Sequence, residues 1–183
     1  MSLRDRLTSG SFAVTAEISP PRGASTDPIT ATAALLRDWV DAVNVTDNQG
    51  SNVRLASWAG SLAALNAGLE PVMQMTCRDR NRIALQSDLL GASALGIRNI
   101  LVMTGDHPKF GDHPEAKPVF DLDSVQLLWT LRAMRDDHVL LSGRTLDPPP
   151  DCFLGAVENP FAPPAEFRAD RLASRSRHAM PPR

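Results

Sequence analysis

The sequence has few of the features that mark secreted, membrane or disulfide-stabilised proteins. Its only two cysteines, Cys77 and Cys152, are far apart and form no CxxC pair, so neither a disulfide framework nor a zinc knuckle is expected. No stretch approaches the roughly 18 uninterrupted apolar residues of a membrane span. The amino-terminal sequence MSLRDRLTSGSF contains no apolar signal core. We therefore expect a cytoplasmic protein that does not associate with membranes.

The sequence also lacks the glycine-rich motifs of common nucleotide sites. Neither GxGxxG nor GxxxxGK[ST] occurs, so nothing supports a Rossmann or P-loop site. The formal net charge is only −2, which implies no general attraction to nucleic acid. Apolar residues make up 43% and charged residues 22% of the 183 positions, as is ordinary for a globular protein. A chain of this length can bury a core and is expected to form one domain.

Strand-like and helix-like segments alternate along the chain. The first four predicted strands begin about 30 residues apart, which is the size of a βαβ repeat. This spacing predicts a mostly parallel sheet with helices outside it, either a doubly wound sheet or part of a (β/α)8 barrel of the TIM type. The strands are predicted at 11–18, 41–47, 71–77, 98–105 and 151–159.

The polarity of the strand faces favours the barrel. A doubly wound sheet is covered on both faces, so its strands are apolar on both. The first three predicted strands instead carry polar residues on one face, as the lumen of a barrel that opens into an active site requires. These residues are Thr15, Glu17, Asn44, Thr46, Gln74 and Thr76.

The chain is short for that fold, because a (β/α)8 barrel takes roughly 250 residues. We therefore predict an incomplete barrel of about five βα units at 1–172. The remaining segment, ASRSRHAMPPR at 173–183, loses apolar periodicity and becomes basic and rich in proline. It is either a disordered tail or the product of a truncated or frame-shifted coding sequence, and both interpretations stay open.

Two acidic residues at strand ends are candidates for chemistry. Glu17 stands one residue from the end of the first strand, where a partly desolvated carboxylate can act as a general acid. Asp106 follows the fourth strand, and Gly105 beside it permits close approach of a ligand. Each also has an ordinary explanation, as a surface glutamate or a turn aspartate. Thr46 and Gln74 could bind a ligand or simply satisfy each other in the lumen.

The tetrapeptide Gly-Asp-His-Pro occurs twice, at 105–108 and 111–114. Metal-binding histidine pairs usually lie on one helix or on adjacent strands, whereas His107 and His113 each precede a proline in an irregular loop. Proline favours extended geometry in the residue before it, so we predict a stiff loop and no metal site.

At these residues the chain resembles the methylenetetrahydrofolate reductase family, which are flavin-dependent (β/α)8 barrels of one-carbon metabolism. Five segments carry the resemblance in order over nearly the whole chain. The segment GDHPKFGDHPEAKPVFDLDS resembles the variant of reductases that are fused to, or work beside, a corrinoid or homocysteine methyltransferase. The five segments are TAEISPPRG, VNVTDNQGS, PVMQMTCRDRN, ASALGIRNILVMTGDHP and FLGAVENPFAPP.

The resemblance implies a reaction and roles for several residues. FAD would take hydride from NADH or NADPH and pass it to 5,10-methylenetetrahydrofolate, giving 5-methyltetrahydrofolate for methionine biosynthesis. Glu17 matches the family's acidic residue that protonates the folate, and Asp106 matches the aspartate that tunes the flavin and binds the pterin. Thr46, Gln74, Thr104 and Gly105 fall on flavin-contacting positions, and basic residues that meet the FAD phosphates should lie at 168–175.

The chain also departs from the family pattern. Gln74 stands where histidine is frequent, and Thr104 stands where arginine can occur. Strands six to eight are absent from the predicted set. The alternative to an active reductase is therefore an inactive fragment, or a subunit that self-associates or recruits a partner to complete its barrel.

Overall fold

The structure is a computed structural model that describes residues 1–179. Five strands alternate with helices along the chain, as the βαβ spacing predicts. The helices are α1 (Leu3–Thr8), α2 (Asp27–Leu36), α3 (Ser57–Asn66), α4 (Arg82–Ala94), α5 (Ser124–Arg132) and α6 (Arg168–Ala179). The strands are β1 (Thr15–Ile18), β2 (Ala42–Val45), β3 (Pro71–Thr76), β4 (Asn99–Met103) and β5 (Phe153–Ala156).

The strands form one parallel sheet in the order β1-β2-β3-β4-β5. A doubly wound sheet would reverse its strand order at a switch point, and no reversal occurs here. The prediction of an incomplete TIM-type barrel is therefore confirmed. Within residues 1–179 the sheet is open, because β1 pairs only with β2 and β5 only with β4.

The apolar face of the sheet packs against α2 to α5 and forms the core. Val43 and Val45 of β2 contact Ile29 of α2 and Ala64 of α3. A larger cluster covers β3, β4 and β5 with side chains from α4 and α5, and all of its members are buried. They include Met73, Met75, Cys77, Leu85, Leu89, Ile100, Val102, Leu127, Leu128 and Leu154.

The other face of the sheet is the inner, lumen face, and its polarity is as predicted. The register pairs Glu17 with Asn44, and Gln74 of β3 stands beside Leu101 of β4. The short helix α1, which the sequence pattern does not reveal, covers the amino end of this face by packing Leu3 against Ala42 and Val72. Of the helices at residues 1–179, none is long and apolar enough to cross a membrane.

Side-chain caps fix where α4 begins, just beyond the end of β3. The Asn81 side chain accepts hydrogen bonds from the backbone of Ile83 and Ala84, as a good N-cap does. The Asp121 carboxylate accepts three more from Arg82, one from its backbone and two from its guanidinium. These hydrogen bonds lower the pKa of Asp121 to about 2.

The carboxyl-terminal segment differs from its prediction as an unpatterned tail. Residues 173–179 continue α6, while the rest of the predicted tail, 180–183, lies outside the described residues. The helix is anchored by a polar side chain, since Arg175 is buried against Glu158 and Ser124. Apolar periodicity cannot detect an anchor of this kind. The boundary between a barrel domain and a tail stays a prediction.

Candidate active site

A cleft of about 400 Å³ opens at the carboxyl ends of β2, β3, β4 and β5. Clefts of this size are typical of small-molecule sites, and the carboxyl end is where barrel enzymes place their chemistry. The side chains around it are mostly polar or charged. They are Asp47, Asn48, Gln49, Gln74, Thr76, Arg78, Thr104, Asp106, Glu158, Asn159, Arg168, Arg171 and Arg175, together with Met103, Gly105 and Val157.

Asp47 forms a buried anionic centre at the base of the cleft. Its Oδ2 accepts hydrogen bonds from the backbone (2.8 Å) and hydroxyl (2.9 Å) of Thr76, and a third from the guanidinium of Arg80. Arg80 also pairs with Asp88 on α4, at 2.9 Å. The carboxylate is therefore compensated, as a buried charge must be, and it joins the end of β2 to the end of β3.

Gly105 brings the main chain close to the neighbouring strand. Its φ is +89°, a value that favours glycine, and a Cβ there would lie 3.0 Å from Thr76 Cβ and 3.2 Å from Arg78 Cβ. Asp106 follows at once and lines the cleft. Its carboxylate makes no hydrogen bond to any residue of 1–179, whereas its carbonyl accepts one from Ser51 at 2.9 Å.

Glu17 does not line the cleft but lies between two amide side chains that do. Gln49 Nε2 donates to its Oε1 at 3.4 Å, and Gln74 Nε2 donates to its Oε2 at 3.3 Å. The Glu17 carboxylate is not partly desolvated as expected, because residues 1–179 leave Glu17 exposed. The cause is that β1 is an edge strand of an open sheet, so no further strand shields its inner face.

The remaining predicted site residues occupy different depths. Gln74, Thr104, Gly105 and Asp106 all line the one cleft. Thr46 does not line it and is buried, with its hydroxyl donating to Ser19 Oγ at 3.4 Å. The Thr104 hydroxyl donates to Ser124 Oγ at 3.2 Å, at the start of α5. The role of each residue stays a prediction.

One face of α6 supplies positive charge to the cleft. Arg168, Arg171 and Arg175 are spaced three and four residues apart, which places them on the same side of the helix. Glu158, just after β5, pairs with Arg168 at 3.2 Å and with Arg175 at 2.5 Å. Burial would raise the pKa of Glu158, but these two arginines hold it below its usual value. Arg171 is exposed and has no hydrogen bond or ion pair within residues 1–179.

The doubled Gly-Asp-His-Pro joins two loops. The second copy contacts the loop after β2, where the Asp112 carboxylate accepts from Val53 N and Gly111 packs against the Ser51 backbone so closely that a Cβ would overlap it. In the first copy, His107 Nδ1 accepts from Lys109 N at 3.2 Å. Across residues 1–179, no three His, Cys, Asp or Glu side chains are grouped to hold a metal ion.

Both cysteines are buried in the core. Burial raises the pKa of the Cys77 thiol to about 12 and that of Cys152 to about 11. Both thiols are therefore protonated near neutral pH, and neither can act as a nucleophile there.

Reasoning from the sequence missed three charged residues of the cleft: Asp47, Arg78 and Glu158. A signal was present, since each lies at or just beyond the end of a predicted strand and two residues after the observed strand, where a barrel collects functional side chains. The segment CRDRN after β3 is the clearest case, with two arginines around Asp79.

Comparison with known proteins identifies the family of the chain. The family model described as methylenetetrahydrofolate reductase matches residues 2–142, which include β1 to β4 and the loops that follow them. A search among curated proteins finds no match. The matched segment covers most of the chain and contains Glu17, Thr46, Gln74, Thr104, Gly105 and Asp106. The chain belongs to the methylenetetrahydrofolate reductase family, a family of oxidoreductases.

Proposed function

We propose that this chain binds FAD in the cleft and uses it to reduce 5,10-methylenetetrahydrofolate to 5-methyltetrahydrofolate, with NADH or NADPH as the electron source. The family supports reduction of methylenetetrahydrofolate. The observation that carries the cofactor assignment is that one cleft collects two kinds of group. Gln74, Thr104, Gly105 and Asp106 line it together with three arginines of α6.

The residues present fit both the ring and the diphosphate of a flavin dinucleotide. A flat ring can stack against backbone, and Gly105 places backbone in the wall of the cleft because its lack of a side chain lets the main chain pass close to Thr76. Guanidinium groups recognise phosphate oxygens by paired hydrogen bonds. Arg171 makes no hydrogen bond within residues 1–179, so its donors are available for a diphosphate. When bound, the flavin would supply hydride transfer.

Glu17 is proposed to provide the proton that the folate needs. Its two carboxylate oxygens accept hydrogen bonds from Gln49 and Gln74, which both line the cleft, and the group is exposed to a substrate. A positioned carboxylic acid contributes roughly 10²–10⁴-fold to such a reaction. Asp106 is proposed to bind the pterin through its carboxylate and to set the charge beside the flavin.

A second candidate function is favoured by the open sheet. The outer backbone edges of β1 and β5 pair with no strand among residues 1–179, and unpaired edges favour association. We propose that the inner face is covered by further strands in the working enzyme, supplied by a second copy or a partner subunit. Sedimentation velocity tests this, and a monodisperse monomer that turns over folate would contradict it. Association with a methyltransferase stays a prediction.

Titration of the full chain with FAD and with riboflavin tests the cofactor assignment. A charge-assisted hydrogen bond to phosphate is worth about 1.5–3 kcal/mol, so Arg171→Gln should weaken FAD binding by roughly tenfold or more. Riboflavin, which has no phosphate, should bind the variant and the wild-type chain equally. Arg177→Gln is the matched control, since Arg177 lies on the same helix but does not line the cleft. Equal loss of both ligands in Arg171→Gln would contradict the proposal.

Addition of NADH or NADPH to the FAD-loaded chain, followed by methylenetetrahydrofolate, tests the reaction. The yellow flavin absorbance should bleach with the nicotinamide and return with the folate. Bleaching without recovery would retain the flavin assignment and reject the folate substrate.

A further inference from the structure

Arg78 is a buried arginine whose guanidinium donates hydrogen bonds to residues of three loops. Its side chain is 2% exposed. Nε and Nη2 donate to the two carboxylate oxygens of Asp79, at 2.7 and 2.8 Å. Nη1 donates to Ser51 Oγ at 3.0 Å and to the Asp106 carbonyl at 3.3 Å, and Nη2 also donates to the Asn48 carbonyl at 3.2 Å.

These partners belong to three different loops of the cleft. Asn48 and Ser51 follow β2, Asp79 follows β3, and Asp106 follows β4. The guanidinium therefore ties together the rim on which the proposed reaction depends.

The loop after β2 depends on such support. Asn48 and Ser51 adopt φ values of +46° and +59°, which cost free energy in residues other than glycine. Strained conformations of this kind persist only where surrounding contacts hold them. Arg78 contacts both residues, and Ser51 in turn donates to the carbonyl of Asp106.

We propose that Arg78 is a positioning residue for Asp106; the inference rests on the proposed function of Asp106 beside the flavin. The Asp106 carboxylate has no hydrogen bond of its own within residues 1–179, so its place in the cleft is set by its backbone. That backbone is held by Arg78 and Ser51. Because the bonds run to the carbonyl, Arg78 acts through the main chain and leaves the carboxylate open to a ligand.

The shape of the guanidinium is essential to this role. A planar fork with five N–H donors can bridge a carboxylate, a hydroxyl and two carbonyls at once. A lysine has the same charge but carries its three donors on one nitrogen, so it cannot span the three loops. Arg78→Lys therefore conserves the charge but removes the hydrogen bonds that hold the three loops in place.

Hydrogen exchange of the full chain without ligand is the first test. In Arg78→Lys, amides at 48–53 and 105–111 should exchange roughly tenfold faster, because these loops open locally without unfolding of the core. Amides of β3 and β4 should be unchanged. Arg82→Lys is the matched control, since Arg82 also pairs with a carboxylate but lies outside the cleft. Unchanged exchange of both loops would overturn the proposal.

The flavin potential is the second test, because a purely structural role would not shift it. Asp106→Asn removes a negative charge and should make the flavin easier to reduce. Arg78→Lys conserves charge, yet it should shift the potential in the same direction by releasing Asp106. In the Asp106→Asn background, Arg78→Lys should cause no further shift. An additive shift would overturn the role for Arg78.

The two tests separate failure of the inference from failure of the proposed function. A wild-type chain that binds no FAD contradicts the proposed function, and hydrogen exchange then decides on Arg78 alone. A chain that binds FAD normally in Arg78→Lys, with an unshifted potential, keeps the proposed function and rejects the inference. If Arg78→Lys fails to fold, Ser51→Ala removes one partner of the fork and should show the same two effects more weakly.

Discussion

Replacement of Gly105 by alanine should disturb the cleft, and replacement of Gly143 by alanine is the control. Gly105 and Gly143 have similar positive φ values, +89° and +83°. An added Cβ at Gly105 would lie 3.0 Å from Thr76 Cβ and 3.2 Å from Arg78 Cβ, whereas nothing lies within 4 Å of one at Gly143. The two substitutions thus share a backbone penalty and differ in the contact beneath the cleft.

The expected cost follows from these distances. A left-handed backbone costs a residue with a side chain about 1–2 kcal/mol, and reduced freedom of the unfolded chain offsets about 0.4–1 kcal/mol of it. Gly143→Ala should therefore lower the free energy of unfolding by about 1 kcal/mol. Overpacking adds about 1–3 kcal/mol at Gly105, because the opposing atoms are Cβ atoms fixed to the backbone. Gly105→Ala should thus cost about 2–4 kcal/mol.

Urea unfolding of both variants, with equal slopes against denaturant, measures the difference. FAD titration of the same samples reports on the cleft, and only Gly105→Ala should lose affinity. Equal destabilisation of the two variants would show that the contact with Thr76 carries no free energy. A loss of FAD affinity in Gly143→Ala would refute the assignment of the effect to the cleft.

Three further predictions concern single carboxylates. Glu17→Gln should keep FAD and its reduction by a nicotinamide but lower folate reduction by roughly 10²–10⁴-fold, and unchanged turnover would refute Glu17 as the proton donor. Asp106→Asn should weaken folate binding and make the flavin easier to reduce, which equilibration with redox dyes measures. The pKa of Asp121 is lowered by Arg82 from 3.8 to about 2, so the stabilisation by this pair should be present above pH 3.8 and lost as the pH falls towards 2. Comparison of Asp121→Asn with wild type by urea unfolding at several pH values checks this, and a stability difference that does not change with pH would contradict it.

The order of strands and helices could be predicted because each unit has a local signal. Apolar strands recur at regular spacing, and glycines such as Gly68 and Gly96, both at positive φ, end the helices between them. The polar inner face was also visible, since alternation along a strand assigns each side chain to a face. These signals need no knowledge of which strands are neighbours.

The electrostatic part of the site could not be predicted in this way. Arg78 reaches Asn48 and Asp106, which are 30 and 28 residues away along the chain, and nothing local marks such pairs. The exposure of Glu17 depends on what covers the inner face, which its own strand does not specify. The helix at 173–179 was missed because its buried anchor, Arg175, is a charged residue.

Because Glu158 pairs with Arg168 and Arg175, an anion that binds to these arginines in the cleft must compete with the Glu158 carboxylate. An incoming ligand meets Arg171, whose hydrogen-bond donors have no partner within residues 1–179. It also meets Arg168 and Arg175, which already pair with the Glu158 carboxylate. A ligand with a single negative charge is a weak competitor for Arg168 and Arg175, because they already pair with one carboxylate. A diphosphate can pair with Arg171 and replace Glu158 at the same time. Discrimination is then expected by the number of charges on the ligand, and after release of the carboxylate α6 would be bound to the end of β5 by the ligand and by the hydrogen bond from Arg175 to the Val157 carbonyl.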